Sequence, residues 1–227
     1  KAALHIYITW SLMKIIDVVQ GSKEWHDYRD VRIGASDSPI IMGLSPYCTP
    51  SLLYERKKGL APPAKINSRM EEGMTLEPIA RSDAEAYFNG LKLPPAVVEM
   101  NNYPFIFASL DGINQENEII VEIKCSTLIL SLAQSEYIAP MYYCQMQHQM
   151  MVTGYSRCLF FASDGFRYKD IWVKKDEKFI EEMKQKLLEF YACLQNDEEP
   201  FDENAYMTIE IDEEKNEIVD RWVRSLQ

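Results

Sequence analysis

The sequence predicts an α/β (α+β) fold, with a central mixed β-sheet flanked by helices. Three observations lead there. The first is the order of patterns: helical segments come first, then a hairpin-like set of strands, a helix, and more strands. The second is that no glycine-rich phosphate loop opens a repeating βαβ series, which excludes a doubly wound nucleotide-binding fold. The third is size: 227 residues at 47% hydrophobic content suit one domain with a large core.

Taken in order, residues 1–12 (KAALHIYITWSL) read as an upstream or expression-derived segment ahead of Met13. They are too short and wrongly patterned for a secretory signal, and they are set aside from the fold. Residues 13–227 are expected to form one domain, with an acidic helical C-terminal region over about 176–227. GSKEWHDYRDVRIG predicts a short helix capped by Ser22 and stopped by Gly34. ASDSPIIMG predicts another, ended by Gly43, and TPSLLYERKKG a third with Pro50 in its first turn. A longer helix is predicted from about Met70 to Phe88, with Pro78 marking the start of a second segment near Glu77. LKLPPAVVEM, FIFASLD, EIIVEIKC, RCLFFASD and RYKDIWVKK are strand candidates. LILSLAQSE and PMYYCQMQHQMMVTG read as helices, the second running from Pro140 to Gly154. A further helix is predicted over Asp176 to Leu194, and a last one near the C-terminus.

The net charge of −11 is unevenly placed. Residues 1–175 hold 18 basic and 19 acidic side chains, while 176–227 hold 6 and 16. A broad basic face is therefore excluded, and any nucleic-acid contact must use a narrow groove. The five cysteines are odd in number and form no CxxC pair. That disfavours a disulfide framework, structural zinc and an iron–sulfur cluster, and points to a reducing cytoplasm. No apolar run is long enough to span a bilayer, so no membrane partner is expected.

The chemistry concentrates in SLDGINQENEIIVEIKC. Asp111 ends one predicted strand, and Glu122 and Lys124 lie two apart on the next, hence on one face. A buried carboxylate and ammonium are costly unless paired or bound to an ion. One reading is a salt bridge at a strand end or a solvated face. The other is a hard-oxygen site for Mg²⁺, or Mn²⁺ in its place, with a lysine beside it. Such an ion lowers the pKa of a water and suits phosphodiester hydrolysis, with one or two ions per site.

The pattern resembles the PD-(D/E)xK nuclease superfamily and, more narrowly, the YqaJ and lambda-exonuclease family of phage recombination exonucleases. Four ordered blocks carry the resemblance: EWHDYRDVRIGASD, EEGMTLEPIAR, ASLDG with VEIKC, and YYCQMQHQMMVTG. It implies that Asp111 and Glu122 bind the metal, with the Ile123 carbonyl as a further ligand and Lys124 as the catalytic lysine. It implies that Glu77 contributes through the helix, directly or through water, and that Gln145 lies near the scissile phosphate. Arg29, Ser36 and Ser109 match a pocket for the terminal 5′-phosphate. A further arginine of that pocket, shortly after the ExK strand, has no counterpart in CSTLILSLAQ. His148 and Trp25 form a second tier.

The implied activity is a Mg²⁺-dependent 5′-to-3′ exonuclease on linear double-stranded DNA, releasing mononucleotides and leaving 3′ single-stranded tails. The implied partners are DNA ends, further copies in a homotrimeric ring, and a single-strand-annealing protein. The implied setting is the cytoplasm of a bacterial host, with phage or prophage origin. Two alternatives stand beside it: a restriction- or resolvase-like endonuclease of the same superfamily, and a DNA-end-binding module without catalysis.

Each residue also has a plainer reading. Glu77 pairs with Arg81 at i,i+4, Arg29 is a solvated helix residue, and Ser36 is an N-cap candidate. Gln145, His148 and Gln149 are the exposed side of a Met-rich helix, with His148 either structural or set to orient a phosphate. Trp25 is core, or else an aromatic that stacks on a base at a DNA end.

Overall fold

A computed structural model describes residues 13–200. In chain order these form β1 (Met13–Ile16), α1 (Lys23–Asp30), α2 (Ser38–Ile41), α3 (Pro50–Lys57) and α4 (Ser68–Tyr87). Then follow β2 (Ala96–Met100), β3 (Tyr103–Leu110), β4 (Gly112–Asn114), β5 (Ile119–Cys125), α5 (Thr127–Gln134) and α6 (Pro140–Thr153). β6 (Arg157–Ser163), β7 (Tyr168–Lys174) and α7 (Glu177–Asn196) complete the described chain. The α/β class and the five predicted strands are present. The expected last helix near the C-terminus lies outside the described residues.

The single central sheet of the sequence reading is two sheets. One is antiparallel in the order β1-β2-β3; the other runs β4-β5-β6-β7. The ladder breaks at Asp111, the one residue between β3 and β4. The stretch after Asp111, where Gly112, Asn114 and Asn117 predict a turn, begins with β4, which pairs antiparallel with β5 through Gly112↔Val121 and Asn114↔Ile119. β5 and β6 are parallel, and α5 and α6 supply the crossover that parallel strands need. β6 and β7 are an antiparallel hairpin.

Alternation along β5 sorts its side chains to two cores. Ile119, Val121 and Ile123 pack with Ala80 and Ala84 of α4 and with Leu159 and Phe161 of β6. Ile120 joins Met146 and Met150 of α6 and Phe160 of β6 in the larger cluster. Glu122 and Lys124 share the parity of Ile120, so the apolar strand delivers them to the α6 side.

Local chemistry accounts for the helix ends. The Ser22 hydroxyl accepts from the Trp25 amide at 3.2 Å, the cap the sequence predicts. α6 begins at Pro140, and Gly154 ends it at φ 79 in the left-handed region. Gly34 does not stop α1, whose C-cap is Val31. A Cβ on Gly34 would instead stand 2.9 Å from the Phe107 ring, so glycine is there for close approach. Pro78 does not begin a new segment: α4 continues through it over 20 residues. The exposed position of Pro78 leaves room for the carbonyl of the preceding turn to tilt toward water.

Candidate active site

Two groups of side chains flank the break between the sheets. The first is the carboxylate pair. Asp111 Oδ2 accepts the Ile123 N–H at 2.8 Å. A residue's N–H and C=O point the same way across an extended strand, so the Ile123 carbonyl is turned to the Asp111 side, past the last residue paired by β4. Glu122 is fully buried. Its Oε2 accepts from Gln149 Nε2 of α6. Its Oε1 lies against the Lys124 ammonium as an ion pair, yet no donor meets it in hydrogen-bonding geometry. The Lys124 ammonium also stands 5.3 Å from the centre of the Tyr142 ring.

These charges act on one another. Burial, then the Glu122 charge, raise the Asp111 pKa well above the carboxylate range, although part of the residue's surface is exposed. Burial disfavours the Lys124 ammonium, but Glu122 and Asp111 outweigh it and leave that pKa raised. Two carboxylates facing one ammonium form a site that gains from another cation.

Glu77 is held differently. It pairs with Arg81, as the plainer reading expects. Arg81 Nε also donates to the Asp111 carbonyl at 2.6 Å, so α4 is tied to the break between the sheets. Among the described residues no three His, Cys, Asp or Glu side chains converge as a ready-made metal cage. The set is two carboxylates, one with a buried oxygen that only the Lys124 ammonium meets, and a backbone carbonyl. That fits Mg²⁺, which binds through one or two carboxylates and keeps the rest of its shell for water and substrate phosphate.

The second group gathers at Ser109, two residues before Asp111. Trp25 Nε1 donates to Ser109 Oγ at 2.8 Å. The Arg29 guanidinium lies 4.5 Å from the Trp25 ring centre and donates to the exposed Ser36 Oγ at 3.3 Å. The structure thus brings Trp25, Arg29, Ser36 and Ser109 together. Trp25 is not core, since no residue of α1 is buried, and Arg29 is half-buried rather than simply solvated. Ser36 is not the cap of α2; Asp37 occupies that position.

Asp37 is a residue that sequence reasoning missed. It is buried, accepts the Gly34 N–H at 2.9 Å and pairs with the equally buried Lys57 at 2.9 Å. Burial would raise its pKa, but Lys57 and Arg29 outweigh that and hold it below the usual value. Lys57 also donates to the Arg29 and Arg32 carbonyls, at 3.2 and 2.5 Å, fixing the end of α1 that carries Arg29. A lysine and an aspartate twenty residues apart give no local signal of such a pair.

On α6 the expected exposed polar face is absent. Gln147, His148 and Gln149 are all fully buried, and each points to a different element. Gln147 donates to the Lys174 carbonyl and accepts the Asp176 N–H, anchoring the start of α7. His148 Nε2 meets the Phe107 carbonyl at 2.9 Å and Nδ1 meets Ser38 Oγ. A carbonyl only accepts, so Nε2 carries the proton and Nδ1 accepts from Ser38. Burial lowers the His148 pKa to about 4. Its position is therefore structural, linking β3 to α2. Gln145 is half-buried and has no side-chain partner among the described residues. A surface cleft of about 360 Å³ lined by Val31, Arg32, Pro104, Phe105, Tyr191 and Gln195 shares no residue with either group. No described helix is long and apolar enough to cross a membrane.

Comparison with known proteins gives the fold and the family. In solved structures the fold is similar to an alkaline exonuclease from Laribacter hongkongensis, with a TM-score of 0.66 and 23% identity over 78% of this chain and 94% of that one. A structure of that exonuclease in complex with dAMP matches almost equally, with a TM-score of 0.65. A phage related exonuclease from Haemophilus somnus 129PT matches with a TM-score of 0.56 and 14% identity over 73% of this chain and 96% of that one. At these identities the likeness is one of fold. In sequence, the chain is 30% identical over 176 residues to the uncharacterized protein YqaJ of Bacillus subtilis (strain 168). That match takes in 74% of this chain and 54% of the relative, so the chain spans about half the length of the curated protein it matches. The model of the YqaJ-like viral recombinase domain matches residues 24–156, which include both side-chain groups described above, and the chain belongs to that family.

Proposed function

We propose that this protein is a Mg²⁺-dependent 5′-to-3′ exonuclease on linear double-stranded DNA, releasing mononucleotides and leaving a 3′ single-stranded tail. The observation that carries the reading is the break between the sheets at Asp111, where two carboxylates and Lys124 converge on a fold that two exonucleases share. Membership of a viral recombinase family supports a role in recombination, with a single-strand-annealing protein taking up the tail. The cytoplasm of a bacterial host is the corresponding setting.

Asp111, Glu122 and the Ile123 carbonyl would hold the ion, and Glu77 would reach it directly or through water once released from Arg81. When bound, Mg²⁺ or Mn²⁺ supplies Lewis-acid stabilisation of the charge that develops on the scissile phosphate. Lys124 orients the attacking water, and Gln145, without a partner of its own, contacts the phosphate. Arg29, Ser36 and Ser109 hold the terminal 5′-phosphate, and Trp25 presents its ring to the end base pair. Ser109 and Asp111 are two residues apart, about 7 Å along a strand, which is of the order of one nucleotide. A spacing of that order between the end pocket and the cleaved bond is what mononucleotide release would require. The dAMP complex of the Laribacter exonuclease accords with such a product. Assembly as a homotrimeric ring would provide grip on DNA without a broad basic face.

The test is incubation with linear and closed circular duplexes, in Mg²⁺ or EDTA, comparing 5′-phosphate with 5′-hydroxyl ends. Mg²⁺-dependent loss of linear DNA alone, faster from 5′-phosphate, is expected. Equal rates at the two ends would keep the exonuclease and remove the pocket. Cleavage of circles would show an endonuclease, and binding without cleavage an end-binding module.

A further inference from the structure

The geometry points to Gln149 as a positioning residue for Glu122: its side-chain amide occupies one carboxylate oxygen, leaves the other to the ion, and so sets the affinity for Mg²⁺. This rests on the metal-dependent reading of the site above.

Glu122 lies wholly inside the protein, between α6 and β6. Each of its oxygens has a distinct environment. Oε2 receives the Gln149 amide. Oε1 is paired with the Lys124 ammonium and accepts from no other group among the described residues. A carboxylate that can only accept fixes the Gln149 orientation, with nitrogen toward Glu122 and oxygen away. The oxygen is met from the other side by the Cys158 thiol at 3.7 Å. The backbone beneath is fixed too, since the Gln149 carbonyl accepts from Thr153 Oγ1 at 2.8 Å. The neighbours Gln147 and His148 lock α6 to α7, β3 and α2. Gln149 is therefore a rigid donor on a rigid helix, aimed at one oxygen of a carboxylate whose other oxygen is held only by the Lys124 ammonium.

Mg²⁺ demands near-octahedral geometry. A carboxylate held by one oxygen presents the other in a single direction, as a one-point ligand. Residues that hold ligands in this way typically change metal affinity or activity by about 10- to 100-fold when removed.

The experiment measures Mg²⁺ and Mn²⁺ binding by calorimetry, without DNA, for the unaltered protein, Gln149→Met, Glu122→Gln and the double variant, together with unfolding midpoints in EDTA. Gln149→Met is expected to raise the dissociation constant about tenfold or more, and to recover digestion at high Mg²⁺. In the Glu122→Gln background the same change is expected to have no further effect on binding. A role in packing alone would lower the midpoint in EDTA and leave ion affinity unchanged, which overturns the inference while the metal site stands. If the unaltered protein binds neither ion, the metal-dependent reading falls and Gln149 with it. Should Gln149→Met fail to fold, the side-chain amide of Gln149 in the unaltered protein decides by NMR. Slow exchange and a shift on adding Mg²⁺ are expected, and a signal indifferent to the ion overturns the assignment.

Discussion

The Arg81 guanidinium ties α4 to Asp111: it pairs with Glu77 on α4 and donates from Nε to the Asp111 carbonyl at 2.6 Å. One side chain thus fixes both a helical acid and the backbone of a proposed metal ligand. Arg81→Met removes both contacts. It is expected to lower stability by about 1–3 kcal/mol and to slow digestion of linear duplex about tenfold or more, because Asp111 loses its register. Chemical denaturation and a single-turnover assay check the two effects. Unchanged turnover would separate α4 from the chemistry.

At the end pocket, Arg29→Ala is expected to slow digestion of 5′-phosphorylated duplex at least about tenfold, a loss of about 1.4 kcal/mol or more in recognition, while 5′-hydroxyl ends change little. Trp25→Phe keeps the ring and removes only the donor to Ser109. It should cost less than Arg29→Ala on the same substrates.

The buried pair Asp37–Lys57 supports that pocket from below. Lys57→Met leaves Asp37 buried without its partner and is expected to destabilise by about 3–5 kcal/mol. The Arg29 carbonyl loses a donor as well, so preference for 5′-phosphate should fall in the folded fraction. Because the folded pKa of Asp37 is depressed, its contribution is present above the unfolded value of 3.8 and is lost as pH falls through the lower folded value. Asp37→Asn should remove that part of the acid limb, as urea midpoints below pH 4 would show.

His148 acts at a higher pH. Its folded pKa, about 4, lies below the ordinary 6.5, so the unfolded chain binds the proton first. Stability is full above 6.5 and declines as pH falls from 6.5 toward 4, by roughly 3 kcal/mol at about 1.4 kcal/mol per pH unit. His148→Leu, less stable at pH 7, is expected to lose less over the same interval. Equal losses in the two proteins would show that His148 is not buried neutral.

The positions of the strands and most helices are legible from local pattern. Ile119 to Cys125 alternates so that Glu122 and Lys124 must share a face, and Ser22, Pro140 and Gly154 mark helix ends by their own chemistry. The alternation cannot say which face meets α6. β4 is three residues long and sits where Gly112 and Asn114 signal a turn, and β1 has too few residues to show a period. The split into two sheets at Asp111 arises from pairing between distant strands. Gly34 reads as a helix stop because its partner, Phe107, is far along the chain. Within the site, the residue types of Asp111, Glu122 and Lys124 declare themselves at short spacing. Gln149, Asp37 and Lys57 act across distant elements, and their bonds appear only once α6, α2 and α3 are in place. A run of three polar residues inside the Met-rich α6 was the available sign, since three consecutive helical residues point in well-separated directions and cannot share one solvent face.

The measurement closest to the central claim compares the unaltered protein with Asp111→Asn on linear duplex in Mg²⁺, with duplex binding measured on the same samples. Asp111→Asn keeps the shape and its acceptor oxygen for the Ile123 N–H, and removes one negative charge from the site. Loss of digestion by about a thousandfold, about 4 kcal/mol of transition-state stabilisation, with duplex binding retained, is the expected result. Digestion at the unaltered rate would contradict catalysis at the Asp111–Glu122–Lys124 site.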